Sequence, residues 1–397
     1  MMHTTGNIFK GKRVIQYDAN AFEYRQILES LLLKDNADIF SLIPVDKVLD
    51  IGIPNINTIG LSYPVLLTDK RWETIHLTAS WLFLGSALTN AHFNVKVNKQ
   101  ILPVTAVSPQ LLNCDLIGFT LFEDLFTPIK DLLFQVKNQY NYNGIIAAGG
   151  PLVTLTPLKS SFHLPEINLL VRGEAEFVLA ELIKAINAND IHKLLEFKGF
   201  LFQIPGIIII SDFNQINQPK HFNGFRFNLD FLEKNHFEAG LEANVSRGCK
   251  RGCIFCSAVQ GKQLRKLPET HFRDLLKQFS AKLTAFNIKS PQARTININD
   301  DDILQDLDYA GNIFQLIKKN RFGLWGIQTA VDSFFDPKGE IHYKALEMIQ
   351  DNSLYVDDNP LVWTGTDTFL KERGKRLGKK IPGEAQFLRL IEEFEKR

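Results

Sequence analysis

Ser246-Arg247-Gly248-Cys249-Lys250-Arg251-Gly252-Cys253-Ile254-Phe255-Cys256 is the stretch on which the reading of this chain turns. Three of the four cysteines fall between positions 249 and 256, spaced C-x3-C-x2-C, directly after a short strand-like run. Three thiolates on one tight loop suit three irons of a cubane 4Fe-4S cluster and leave the fourth iron open; a closed structural site needs a fourth ligand. Gly248 and Gly252 let such a loop wrap without side-chain clashes. Arg247, Lys250 and Arg251 lower the cost of thiolate charge. The alternative is a Cys3His zinc site, for which His271 is the next histidine along the chain. Zinc ligands are usually paired on both sides, and no such pair surrounds His271. A disulfide belongs to an oxidising compartment. Cys114, alone in LLNCDLIGF, reads as a buried small hydrophobe.

Working outward, residues 241–397 alternate strand and helix. Strands are expected at EANVS (242–246), RTININ (294–299), LWGIQTAV (324–331) and LVWTGT (361–366), each followed by a helical stretch. Residues 59–190 do the same. Strands are expected at 60–69, 93–97, 115–122, 144–150 and 167–173, and helices at 73–91, 127–140 and 176–187. Short apolar strands alternating with helices imply an α/β fold, a doubly wound parallel sheet covered on both faces. Ligands of such sheets lie beyond the strands' carboxyl ends, at a switch point. Glu123-Asp124, Gly149-Gly150-Pro151 and Arg172-Gly173-Glu174 fall at those ends. Residues 191–240 read as a connection with β character (FLFQIPGIIII, then FNGFRFNLDF), and residues 1–58 as an N-terminal extension with one amphipathic helix at 22–35.

The chain has 397 residues, 45% hydrophobic and 22% charged, which excludes a disordered tail, a collagen and a coiled coil. Lys+Arg is 45 and Asp+Glu 44, a balance that argues against a broadly basic nucleic-acid binder. No uninterrupted apolar run is long enough to span a membrane, and MMHTTGNIFKGKRVIQ holds no apolar signal core, so the expected location is the cytoplasm.

The cysteine segment resembles the radical S-adenosylmethionine superfamily, whose signature is CxxxCxxC with an aromatic before the last cysteine, here Phe255. The basic stretch GKQLRKLP, then ININDDDI, then a Trp-bearing third strand follow that family's order, and TGTDTFLKERGKRLGKK is similar to its fourth strand and the segment after it. AAGGPLVT followed by LLVRGEAEFVLAELI resembles the cobalamin-binding domain that precedes the radical domain in one large subfamily. Gly149, Gly150, Pro151, Arg172, Gly173, Glu174 and Glu176 match its GGP and RGE-x-E pattern. The DxHxxG motif that supplies a lower cobalt ligand in many cobalamin proteins is absent, and His76 reads as a packed or capping residue.

The resemblance implies a Rossmann-like cobalamin domain at 59–190, a connection at 191–240 and a (βα) barrel radical domain at 241–397. It implies cluster ligation by Cys249, Cys253 and Cys256, with Phe255, Asp300, Asp302, Gln328 and Thr366 toward S-adenosylmethionine. For Asn299–Asp302 two readings stay open: carboxylates on the substrate ammonium, or an N-cap and first-turn acids of a helix from Ile303. Asp332 and Asp367 are candidates by position alone. The run Lys250, Arg251, Lys262, Arg265 and Lys266 reads as a solvated or redox-partner face before an RNA site.

The implied activity is reductive cleavage of S-adenosylmethionine to a 5′-deoxyadenosyl radical, with cobalamin-dependent methyl transfer to a carbon of a small molecule or peptide. A flavodoxin- or ferredoxin-type protein would donate the electron. One alternative is an RNA methylthiotransferase-like enzyme, which needs three further cysteines where this chain has Cys114. The other is a non-catalytic remnant that binds cobalamin or a cluster. Four βα units are counted where the superfamily usually has six, so the barrel is expected to be partial, with further units on a missing C-terminal segment.

Overall fold

The computed structural model describes residues 12–16, 41–42, 55–66, 78–102, 107–251, 253, 256, 261–352, 361–364, 376 and 382–396. The expected helix at 22–35 and the residues His76, Phe255, Thr366 and Asp367 lie outside them. The chain divides into two compact units, Met1–Glu73 with Leu84–Pro219, and Thr74–Phe83 with Lys220–Arg397.

The first unit is built on a sheet of nine strands: β1 Lys12–Gln16, β2 Ser41–Leu42, β3 Thr58–Leu66, β4 Asn94–Leu102, β5 Leu116–Thr120, β6 Ile145–Gly149, β7 Leu169–Val171, β8 Phe200–Ile204 and β9 Ile207–Ser211, in the order β2-β1-β9-β8-β7-β6-β5-β3-β4. The pairs among β4, β3, β5, β6 and β7 are parallel. The strand β6 (IIAAG) is almost wholly buried and β5 (LIGFT) mostly so, as expected where both faces of a parallel sheet are covered. After β4 the chain returns to the other side of β3 to form β5. That reversal is the topological switch point, and β6 with its glycine end lies one strand away.

Two features depart from the expected pattern. FLFQIPGIIII is not a connection but the hairpin β8–β9, which continues the first sheet antiparallel to β7. Its two-residue turn is Pro205-Gly206, with Gly206 at φ +87°; proline presets the first corner and glycine alone takes the second without strain. KRVIQ (β1) then pairs antiparallel along the whole of β9. FNGFRFNLDF forms no strand. Phe225 and Phe227 instead pack on Phe83, ring centroids 4.9 and 5.1 Å apart, in the core of the second unit.

The second unit carries a four-stranded parallel sheet, in consecutive order β10 Leu241–Ala243, β13 Thr295–Ile298, β14 Gly323–Gln328 and β15 Leu361–Trp363. Between β10 and β13 a small ribbon pairs β11 Ser246–Arg247 with β12 Arg265–Lys266, antiparallel. The connecting helices are amphipathic. Helix α1 (Glu269–Ala285) buries Phe272, Leu275, Leu276, Phe279 and Leu283, the spacing of one helical stripe. Helix α2 (Leu307–Lys319) buries Tyr309, Ala310, Ile313, Phe314 and Ile317, and the Asp306 carboxylate caps it by accepting from the Tyr309 amide at 3.0 Å. Leu361 is 49% exposed and Trp363 39% exposed, and among the described residues β15 pairs with β14 alone. No helix among the described residues is long and apolar enough to cross a membrane.

Candidate functional site

The cysteine loop leaves β11 and returns to β12, so its two ends are held together by the ribbon pairs Arg247↔Arg265 and Ser246↔Lys266. The Cys249 amide donates to the Gly261 carbonyl at 3.0 Å, and the Cys256 amide to the Cys253 carbonyl at 3.2 Å. Cys249 and Cys253 are half-buried and Cys256 is exposed. Among the described residues no three ligand side chains converge tightly enough for a metal ion. The donor set itself, three thiols on a short loop at a sheet edge, has the chemistry of a three-thiolate cluster loop. His271 does not complete a zinc site among these residues: its Nε2 lies 2.6 Å from Arg226 Nη1. Burial, with that guanidinium second, holds the imidazole below its usual pKa.

The acidic run after β13 carries this loop. Asp300 is fully buried and accepts from the Val245 amide (2.8 Å), the Ser246 amide (2.8 Å) and the Ser246 hydroxyl (2.5 Å). Asp301 accepts from the Gly248 amide at 3.1 Å. Asp302, also fully buried, accepts from the Thr329 hydroxyl (2.5 Å) and the Ala330 amide (3.2 Å), and pairs with Arg251. Gln305 accepts from the Lys250 amide at 3.2 Å and donates to the Gly248 carbonyl at 2.9 Å. These carboxylates cradle the loop; Asp302 stands at the N-cap position of the single turn Ile303–Gln305 without a side-chain cap bond, and the longer helix α2 is capped by Asp306. Burial pushes the Asp300 carboxyl up to about 7 and raises that of Asp301.

The sheet of this unit has two contrasting faces. Register sets Ala243, Ile298 and Ile327 on the buried, apolar one. On the other, Glu242, Asn297 and Gly326 stand in one row and Gln328 and Trp363 in the next. Gln328 is exposed, at the carboxyl end of β14. Trp363 lies over Gly326, where an added Cβ would meet its ring at 2.3 Å. Asn297 Oδ1 is buried with no hydrogen-bond partner among the described residues. Glu242 accepts from Asn299 Nδ2 at 3.0 Å, and burial raises its carboxyl. This face carries polar side chains and an unsatisfied acceptor beside an indole, with the apolar Leu361 at the end of the Glu242 row, unlike the close-packed face opposite. Glu242, Asn297 and Trp363 sit in no sequence motif; period-two alternation in TININ and LWGIQ is the local signal that places Asn297 on this face.

In the first unit, the carboxyl ends of β5, β6 and β7 form the second candidate edge. Gly150, at φ +92°, opens the short helix Pro151–Leu155. A Cβ there would meet Thr120 Cγ2 at 2.9 Å and the Leu121 backbone at 3.0 Å. At Gly149 an added Cβ would meet the Val171 carbonyl at 3.3 Å and nothing else within 4 Å. Position 149 is only mildly crowded, by one carbonyl, whereas glycine at 150 is demanded by its left-handed φ and by Thr120 and Leu121. Thr154 ties the two loops: its hydroxyl donates to the Gly150 carbonyl (2.8 Å) and accepts from the Gly173 amide (3.0 Å). Arg172 is buried and donates to the Thr154 and Phe213 carbonyls, and burial lowers its pKa. Asn217 closes the turn, its carbonyl accepting from the Glu174 amide at 2.8 Å and its own amide donating to the Arg172 carbonyl at 3.1 Å. Arg172, Gly173 and Glu174 thus build the edge. Gly150→Ala is expected to destabilise this unit by roughly 1–3 kcal/mol, and Gly149→Ala by much less. Urea unfolding of the two variants checks the order; equal losses would refute the distinction.

No family model matches the chain. Over 159 residues, 36% of this chain and 31% of the relative, it is 29% identical to an uncharacterized methyltransferase of Pyrococcus horikoshii. Among solved structures it is similar to that of OxsB, a cobalamin-dependent S-adenosylmethionine radical enzyme with aqua-cobalamin bound. The TM-score is 0.59 at 20% identity, over 83% of this chain and 47% of that one. The chain therefore spans less than half the length of either protein.

Proposed function

The fold is that of a cobalamin-dependent radical S-adenosylmethionine enzyme, a Rossmann-like sheet followed by a parallel partial-barrel sheet, and from it we propose that the chain is such an enzyme, with one 4Fe-4S cluster, S-adenosylmethionine and cobalamin as cofactors. The observation that carries this is the C-x3-C-x2-C loop, hung from the carboxyl edge of a parallel sheet by Asp300, Asp301 and Gln305. When bound, the cluster would supply the single low-potential electron that cleaves S-adenosylmethionine to methionine and a 5′-deoxyadenosyl radical.

The chain's own residues would do the rest by placement. Cys249, Cys253 and Cys256 would ligate iron. Asn297, Gln328 and Trp363 would orient the adenosyl group on the polar face, with Phe255 and Thr366 toward the same ligand. Asp300 and Asp302 support that site from beneath through the loop. Gly149 would let a flat corrin approach the backbone at the first unit's edge. The reaction proposed is methyl transfer to a carbon of a small molecule or peptide, with an electron from a flavodoxin- or ferredoxin-type protein in the cytoplasm. A methylthiotransferase-type second cluster finds no support in this chain, where Cys114 is the remaining cysteine and is buried.

Anaerobic reconstitution tests the reading. About four irons per chain are expected, with retained corrinoid visible in the absorption spectrum and 5′-deoxyadenosine formed under strong reductant. Serine at any of the three cysteines should remove most of the iron, while Cys114→Ala leaves it unchanged. Eight irons, or stoichiometric zinc in protein purified without air, would sink the cluster assignment. Bound cofactors without 5′-deoxyadenosine would indicate a remnant that binds without turnover.

A further inference from the structure

Arg251 lies inside the cysteine loop, between Cys249 and Cys253, and its guanidinium is turned toward the sheet. Its Nε donates to both Asp332 oxygens at 3.0 and 3.2 Å, and Nη2 lies 2.9 Å from Asp332 Oδ1. Nη2 also donates to the Ser333 hydroxyl at 3.0 Å, and Nη1 pairs with the fully buried Asp302. The same Nη1 stands 4.0 Å from Cys249 Sγ. Asp302 follows β13 and Asp332 follows β14, so one side chain fastens the middle of the loop to the ends of two neighbouring strands.

From this geometry we infer that Arg251 is a positioning residue for the cluster, with two separable effects. Its planar fork preorganises the loop before metal arrives, because a bidentate guanidinium fixes orientation as well as distance. Its charge, held beside the Cys249 sulfur, stabilises the more negative, reduced form of the cluster and raises its reduction potential. The inference rests on the proposed cluster for the second effect and on the loop geometry alone for the first.

Arg251→Met and Arg251→Lys separate the two, with Asp332→Asn as a change on the partner side. In apo protein, hydrogen exchange at the amides around Gly248 and Cys249 should quicken at least about tenfold in Arg251→Met. In reconstituted protein an iron chelator should strip that variant on the order of ten times faster than wild type. Its reduction midpoint should fall, and its reduced-cluster electron paramagnetic resonance signal should broaden. Arg251→Lys should restore most of the potential and little of the chelator resistance, and Asp332→Asn should loosen the loop without removing the charge. Circular dichroism should show the rest of the fold intact. Unchanged loop exchange in Arg251→Met overturns the inference whether or not iron binds. Quickened exchange in a protein that takes no iron keeps the positioning role and refutes the cluster. An unchanged potential in Arg251→Met refutes the charge effect.

Discussion

Alanine at position 248 is expected to unfasten the cysteine loop. Gly248 has φ +93°, and a Cβ there would lie 2.2 Å from the Gln263 carbonyl oxygen and 3.0 Å from its carbon. Both are backbone atoms of the returning arm, so no side-chain rotation relieves the clash. Non-glycine residues in this region cost roughly 1–3 kcal/mol before any clash. Moving either arm also disturbs the Gly248 amide on Asp301, its carbonyl on Gln305 and the Cys249 amide on Gly261. A total loss of about 3 kcal/mol or more is expected in the second unit, with iron retention on reconstitution falling to a small fraction of wild type. Gly224 is the control, since a Cβ there meets nothing within 4 Å. A Gly248→Ala protein that melts and binds iron like wild type would show that the loop is not held as described.

What could be read from the sequence, and what could not, divides by range. Strands β10, β13, β14 and β15 were legible because buried parallel strands are short apolar runs punctuated by helices, and each run is local. The cysteine spacing was legible for the same reason. The partners of the acidic run were not. Asp300 bonds to residues 54 and 55 positions away, and Arg251 to Asp332 across 81 positions. Rules that look a few residues to either side offer an aspartate only a helix cap or a ligand. The glycines show the same limit. Gly248 reads as letting the loop wrap freely, whereas a side chain there first meets the Gln263 backbone of the returning arm, and one at Gly150 meets Thr120 and the Leu121 backbone. The hairpin at Pro205-Gly206 carried a clear turn signal, but its place beside β7, and the pairing of KRVIQ with its far strand, depend on register that the local pattern does not contain.

Asparagine at position 300 is expected to weaken the loop's root in a way that depends on pH. Asp300 accepts from the amides of Val245 and Ser246 and the Ser246 hydroxyl, and it is fully buried. Burial is the largest influence on its carboxyl and lifts it from 3.8 to about 7; the three hydrogen bonds pull the other way and lose. The folded chain thus holds a proton that the unfolded chain releases. The stabilisation from this group is fully present below about 3.8 and is lost as pH rises to about 7. The asparagine variant has no proton to lose there. Its amide nitrogen must face a backbone N–H, that of Val245 or that of Ser246, a mismatch costing roughly 1–3 kcal/mol at every pH. The margin, wild type minus Asp300→Asn, should therefore be largest below about pH 4, fall as pH rises to about 7 and be level above. Urea titrations of the two apo proteins across that range measure the margin directly, with the common titrations of all other groups cancelling in the difference. A margin that widens with rising pH would mean that the hydrogen bonds, not burial, govern Asp300, and that the loop's root is an ionised carboxylate throughout.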